Sequence, residues 1–184
     1  MKRALTLLAL IPALLLTPAS ILAAQAEPQT PKPGPEHQRL HYFVGNWQIA
    51  WETKPGPMGP GRTVTVTDHN EMLGDFFVVF YRKGRGPTGS GREIGFLGYD
   101  PEQKVYTYDV FIDDGSVGRA TATISGDTWI LLAPALDTCR QGGDKEKERF
   151  TLKEVSPTSY TFIGELSVDG GPWTTIEEGK ATKK

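Results

Sequence analysis

The clearest structural signal in this chain is the segment Gly45-Asn46-Trp47-Gln48-Ile49-Ala50-Trp51. Its three large apolar side chains, Trp47, Ile49 and Trp51, occupy alternate positions. Alternate side chains of a β-strand point to the same face, so this spacing predicts a strand with one buried face. Two tryptophans on that face predict a small β-barrel with an aromatic-lined interior.

The rest of the chain carries further short strand patterns separated by turn signals. A short helix is predicted over residues 36–43, and turns are predicted at Asp100-Pro101-Glu102-Gln103 and Gly126-Asp127. About ten strands are predicted, over residues 46–52, 62–67, 75–81, 93–99, 105–112, 117–124, 128–132, 147–155, 159–166 and 173–179. Strands at regular spacing without interposed helices predict an all-β fold, an antiparallel up-and-down β-barrel, because closure removes exposed strand edges.

The N-terminus has the three parts of a secretory signal peptide. Lys2 and Arg3 form a basic start, residues 4–16 are apolar, and Ala24-Gln25-Ala26 places small residues at both positions that determine cleavage. We therefore predict a signal peptide over residues 1–26 and export to the periplasm or the medium.

The predicted mature chain has two parts. Residues 27–35 are dense in proline and predict an extended tether, and residues 36–184 predict a single barrel domain. The N-terminal apolar run is short and contains Pro12 and Pro18, so no membrane span is predicted.

Charge and cysteine content narrow the function classes. The chain has 20 Lys and Arg against 22 Asp and Glu, a formal net charge of −2, which argues against a nucleic-acid partner. Its single cysteine, Cys139, forms no internal disulfide and is predicted to be an inert thiol in a loop.

The segment 82–92 is rich in glycine and basic residues. Gly84 to Gly89 has the G-x-G-x-x-G spacing of a dinucleotide site, but a strand follows where that site requires a helix. We therefore interpret residues 82–92 as a basic hairpin loop, which offers a docking place for an anion or a protein partner.

Metal and catalytic motifs are weak. His37 and His41 are four residues apart, but no third ligand lies near them in the sequence, so neither a metal site nor a cofactor is predicted. The acid/base candidates are His69 with Glu71, between two strands, and Asp109. Asp109 is expected to point outward because the other face of its strand is more apolar. No catalytic residue is assigned.

Aromatic side chains on the predicted strands are the candidate ligand-binding residues. Each is expected to face the barrel interior in at least one consistent register: Trp47, Trp51, Phe77, Phe96, Tyr106, Tyr108, Trp129 and Phe162. His69 joins this set because it is expected to face the cavity mouth. The aromatic residues either fill a packed core or line an open pocket, and both alternatives stand.

Several short motifs resemble the bacterial domain-of-unknown-function family 1579. They are Pro35-Glu36-His37-x-x-Leu40, Val44-Gly45-Asn46-Trp47, Gly74-Asp75-Phe76-Phe77, and Gly95-Phe96-Leu97-Gly98-Tyr99-Asp100 with Lys104 and Tyr106. The resemblance runs from Pro35 to Thr182 and implies a lipocalin-like, calycin-type barrel without an established activity.

Haem-binding barrels of the nitrobindin type are similar in architecture and hold haem through a histidine near the C-terminus. This chain has no histidine after His69.

Three functional hypotheses follow. The first is an exported binding protein that holds a small apolar or amphipathic ligand in the barrel. The second is an enzyme that acts on a small molecule in the same cavity, and the third is a structural or partner-binding module that uses the 82–92 segment. No oligomeric state is predicted.

Overall fold

The computed structural model describes residues 32–56, 59–86, 89–134 and 146–184, which belong to one compact unit. The predicted signal peptide, most of the predicted tether and Cys139 lie outside the described residues.

The described residues confirm the all-β prediction. A helix, α1 (Pro35–Leu40), and a 3₁₀ turn (His41–Phe43) precede the strands, as predicted. The strands are β1 (Gly45–Thr53), β2 (Arg62–Leu73), β3 (Phe77–Gly86), β4 (Gly89–Asp100), β5 (Val105–Ile112), β6 (Val117–Ser125), β7 (Thr128–Pro134), β8 (Glu146–Ser156), β9 (Ser159–Val168) and β10 (Thr174–Lys183). Each strand pairs antiparallel with the next, and β10 pairs with β1, so the sheet is a closed up-and-down barrel.

The barrel closes where β1 meets β10. Ile49 lies opposite Ala181, and Trp51 lies opposite Gly179. A Cβ atom at Gly179 would come within 2.5 Å of the Trp51 Cβ and 2.6 Å of the Ala50 carbonyl oxygen. The seam therefore requires glycine at this position, because backbone cannot yield to a side chain there.

Two predicted boundaries are wrong at the same place in the barrel. The segment Asp68-His69-Asn70-Glu71, predicted to lie between strands, is part of β2, and β3 continues to Gly86. Val64 and Val66 face inward on β2, and Asp68 and Asn70 continue this alternation as buried polar side chains. Polar residues on the inner face break the apolar pattern, which is why the sequence signal stops too early. The predicted basic loop 82–92 thus consists largely of two strand ends.

One end of the barrel is sealed by α1 and the 3₁₀ turn. Leu40 and Phe43 are buried there against Trp47, Trp129 and other aromatic side chains. Phe43 and Trp129 meet edge to face with ring centroids 5.1 Å apart, a favourable aromatic geometry. Among the described helices, none has both the length and the apolar character needed to cross a membrane.

Candidate functional site

A cavity of about 250 Å³ occupies the barrel interior above the sealed end. A single water takes up about 30 Å³ of liquid volume, so this space is far larger than a packing defect. It lies just below the roughly 300–1,000 Å³ of typical ligand pockets. The barrel interior is therefore a partly open pocket above a packed core.

The cavity wall is mainly apolar. Phe43 and Trp129 form its floor, next to the 3₁₀ turn. Large apolar side chains form most of the remaining wall: Ile49, Trp51, Phe80, Leu97, Tyr108, Val110, Ile112, Leu131, Phe150, Leu152, Tyr160 and Phe162. The wall also contains small residues, Gly118 and Ala120 on β6 and Ala133 on β7. Large side chains at these three positions would fill the space, so the small residues explain why the cavity exists.

An ion-pair network, which we call the Asp68–Arg82–Glu93 network, lies on the inner face of β2, β3 and β4. Arg82 donates from Nε to Asp68 Oδ1 at 2.8 Å and from Nη2 to Asp68 Oδ2 at 2.9 Å. The Nη1 atom of Arg82 lies 2.6 Å from Glu93 Oε1. The Asp68 side chain is only 1% exposed, whereas 27% of Arg82 and 20% of Glu93 remain exposed. Because Arg82 and Glu93 line the cavity, the network presents a polar edge to it.

Burial and the charges of the network shift the pKa values of Arg82 and of two nearby tyrosines. Burial lowers the pKa of Arg82, but Glu93 and Asp68 outweigh that effect and hold the pKa well above its ordinary value. Burial, with a further contribution from Glu93, raises the pKa of Tyr108 far above its ordinary value. Burial likewise raises the pKa of Tyr160. At neutral pH the guanidinium is therefore charged and both phenols keep their protons.

Asn70 is a second buried polar residue on β2, near the sealed end. Its Nδ2 atom donates to the Phe43 carbonyl oxygen at 3.0 Å, which ties β2 to the 3₁₀ turn. Its Oδ1 atom has no hydrogen-bond partner among the described residues.

These inward polar residues were absent from the predicted site. The feature that could have indicated them is their pairing across neighbouring strands: Asp68 lies opposite Arg82, and Arg82 lies opposite Glu93. This signal becomes visible only when the register of three strands is known, because opposite charges pair across neighbouring strands.

The predicted aromatic residues separate into three groups. Trp51, Tyr108, Trp129 and Phe162 line the cavity. Trp47 and Tyr106 are buried in the core cluster but are not part of the cavity wall. The third group, Phe77 and Phe96, lies outside the barrel interior.

The inward position predicted for Phe77 and Phe96 is wrong. Phe77 is 42% exposed and covers Gly98, and Phe96 packs against the exposed ring of Phe111. Their strands are apolar on both faces, so alternation alone could not assign the inner face.

The acid/base candidates lie outside the cavity. His69 was predicted at the cavity mouth, but its side chain is 61% exposed on the outer face, where Nδ1 lies 2.8 Å from Asn46 Oδ1. Glu71 is also exposed on the outer face, and Asp109 faces outward as predicted, 3.0 Å from Arg119 Nε. The second hypothesis therefore loses the residues on which it was based.

The positions of the three histidines show whether the cavity has a histidine ligand for a metal ion or a haem. The backbone N–H of Gly34 donates to His37 Nδ1 at 3.0 Å, and His37 packs edge-on against Phe76 and Tyr99. None of the three histidines, all within the described residues, lines the cavity. Within the described part of the chain, no group of three potential metal ligands occurs. The cavity residues thus do not fit a haem that is held by histidine.

The fold of this barrel is also found in a solved structure. The crystal structure of Rv2717c from M. tuberculosis is 13% identical with a TM-score of 0.56, and the match covers 83% of this chain and 99% of that one. A de novo designed fluorescence-activating β-barrel is 15% identical with a TM-score of 0.43, over 79% of this chain and 96% of the other. At 13% identity the likeness to Rv2717c concerns the fold alone.

Comparison of the sequence with curated proteins found no match. Residues 32–183 match the family described as a protein of unknown function, DUF1579. This span includes α1 and all strands of the barrel. The chain therefore belongs to the DUF1579 family.

Proposed function

We propose that this protein is an exported, lipocalin-like binding protein that holds a small apolar or amphipathic ligand inside its barrel. The observation that carries this proposal is the cavity of about 250 Å³ above the buried core of the barrel. An apolar cavity of this size forfeits packing contacts that a folded protein would otherwise make. Small residues on β6 and β7 keep the space open where larger ones would stabilise the barrel.

The composition of the wall supports an amphipathic ligand. Apolar side chains form most of the surface, and the Asp68–Arg82–Glu93 network supplies one polar region. Pockets for small molecules combine an apolar lining with a few fixed polar groups in this way.

Filling the cavity is expected to weaken the binding of a ligand that needs its full length. Ala120 faces the cavity, so Ala120→Phe places a ring in the space that a ligand would occupy. Losing room for two methylene groups costs about 1.6 kcal/mol, and we therefore expect octan-1-ol to bind at least about tenfold more weakly to Ala120→Phe, measured by isothermal titration calorimetry.

The neighbouring residue provides the matched control. Thr121 is exposed on the outer face of β6, so Thr121→Phe adds the same ring outside the barrel and should leave the affinity unchanged. Native mass spectrometry of the purified protein should detect a bound mass that Ala120→Phe loses. Equal binding by both variants, or no binding by the wild type, would contradict the proposal.

The proposed export depends on residues 1–26. We expect the exported protein to begin at Glu27, as read from its intact mass, because Ala24 and Ala26 occupy the positions that determine cleavage. Substitution of both alanines by glutamate should leave the precursor uncleaved, whereas Gln25→Glu, at the position between them, should be processed normally. A chain that keeps residues 1–26 after fractionation would refute this part of the proposal.

A further inference from the structure

We propose that the Asp68–Arg82–Glu93 network makes the cavity select ligands whose polar group donates hydrogen bonds, with a protonated amine preferred and a carboxylate disfavoured. This inference rests on the proposed function and specifies the ligand class. An arginine inside a β-barrel would by itself suggest the opposite preference, because guanidinium groups bind carboxylates well. The contacts of Arg82 reverse that expectation.

The charge balance of the network is the first argument. One guanidinium is shared by two carboxylates, Asp68 and Glu93, so the formal charge of the network is −1. A ligand carboxylate would add a third negative charge around one positive group, in a site that is largely shielded from water. A ligand ammonium would instead neutralise the network.

The geometry of Arg82 is the second argument. Its Nε and Nη2 atoms form the planar edge that could hold a carboxylate with two parallel hydrogen bonds, and Asp68 already occupies that edge. Asp68 is almost completely buried, so a ligand has no route to displace it. Arg82 is therefore a fixed part of the wall, and its Nε–Nη2 edge is not open to an incoming anion.

Glu93 is the group that a ligand can reach. It lines the cavity and remains partly exposed there, and Arg82 contacts its Oε1 atom. A carboxylate accepts hydrogen bonds at about four lone-pair sites, so this single contact leaves Glu93 able to accept from a donor in the cavity. A charge-assisted hydrogen bond of this kind is stronger than one between neutral groups.

The remaining charged residues of the cavity wall also favour a cationic ligand over an anionic one. Arg119 is the other basic residue of the wall, but its guanidinium pairs with Asp109 on the outer face. Among the described residues, Arg82 thus provides the sole positive group that faces the cavity. Two further carboxylates, Glu148 and Glu177, line the wall and interact with other groups.

Three probes of equal chain length test the selectivity: octylamine, octan-1-ol and octanoate. At pH 7 the first is cationic, the second neutral and the third anionic. We expect isothermal titration calorimetry on the protein purified after expression of the full chain to rank them in that order, with octylamine at least about tenfold tighter than octanoate.

The variant Glu93→Gln locates the effect. Its amide oxygen still accepts a hydrogen bond from Arg82, but the network becomes neutral, so the preference for octylamine over octanoate should fall about tenfold. The control is Glu165→Gln, since Glu165 pairs with Arg149 Nε at 2.7 Å on the outer face. This control should retain the wild-type ranking.

The outcomes separate the two proposals. If octan-1-ol binds but octanoate binds as tightly as octylamine, the selectivity inference is overturned and the binding function stands. An unchanged preference in a folded Glu93→Gln variant also overturns it. If none of the three probes binds the wild type, the binding function fails and the inference fails with it.

Discussion

Replacing Arg82 with leucine is expected to lower the free energy of unfolding by about 3–5 kcal/mol, measured by urea denaturation. The substitution leaves Asp68, which is 1% exposed, and Glu93 on either side of position 82 without a counter-charge. An uncompensated buried carboxylate costs far more than the loss of a solvent-exposed ion pair. The effect should therefore be large although the network itself adds little net stability.

Two comparisons make this prediction specific. Arg149→Leu removes the outer-face ion pair with Glu165 and the stacking of Arg149 on Trp173, and should cost about 1 kcal/mol. Converting the whole network to apolar residues, by combining Arg82→Met with leucine at both carboxylate positions, should recover most of the lost stability. A loss below about 1 kcal/mol in Arg82→Leu would contradict the assignment of a buried network.

Replacing Trp129 with alanine should have a comparable effect for a different reason. The side chain is 1% exposed, packs against Phe43 and Tyr106, and donates from Nε1 to Glu154 Oε1 at 2.7 Å. Removing a buried tryptophan costs about 3–5 kcal/mol because the surrounding residues cannot close the gap. Trp129 also forms the cavity floor, so the same variant should deepen the pocket.

Two further variants, compared by the same measurement of unfolding free energy, test this role of Trp129. Trp129→Phe keeps most of the packing and should cost only about 1–2 kcal/mol, mainly for the lost hydrogen bond. Trp173→Ala is the control on the outer face, where the ring lies 4.4 Å from the Arg149 guanidinium, and should cost about 1 kcal/mol. If Trp129→Ala were as stable as Trp173→Ala, Trp129 would not be part of the packed floor.

Most of the barrel could be predicted from local patterns. The alternation of Trp47, Ile49 and Trp51 identified β1, and turn residues at Asp100 and Gly126 marked two hairpins correctly. These signals succeed because side-chain alternation and turn chemistry are properties of a few consecutive residues.

The predictions failed where two faces of a strand look alike or where polar residues face inward. Phe77 and Phe96 lie on strands that are apolar on both faces, and nothing local distinguishes inside from outside there. Asp68 and Arg82 look like turn and loop residues in sequence, yet each neutralises the other inside the barrel. Their burial is favourable only because the partner strand places the opposite charge beside them.

The sequence by itself determined the strand order and the aromatic character of the interior through local periodicity, and it determined the antiparallel closure because an open meander would leave two exposed edges. Tertiary structure alone decided whether that interior is core or pocket. Trp47 is core because the 3₁₀ turn packs over it, whereas Trp51 borders open space because Gly118 and Ala120, which lie across the cavity on β6, are small. Packing is set by the summed volume of side chains that meet across strands distant in sequence, and that sum exists only once the barrel has closed.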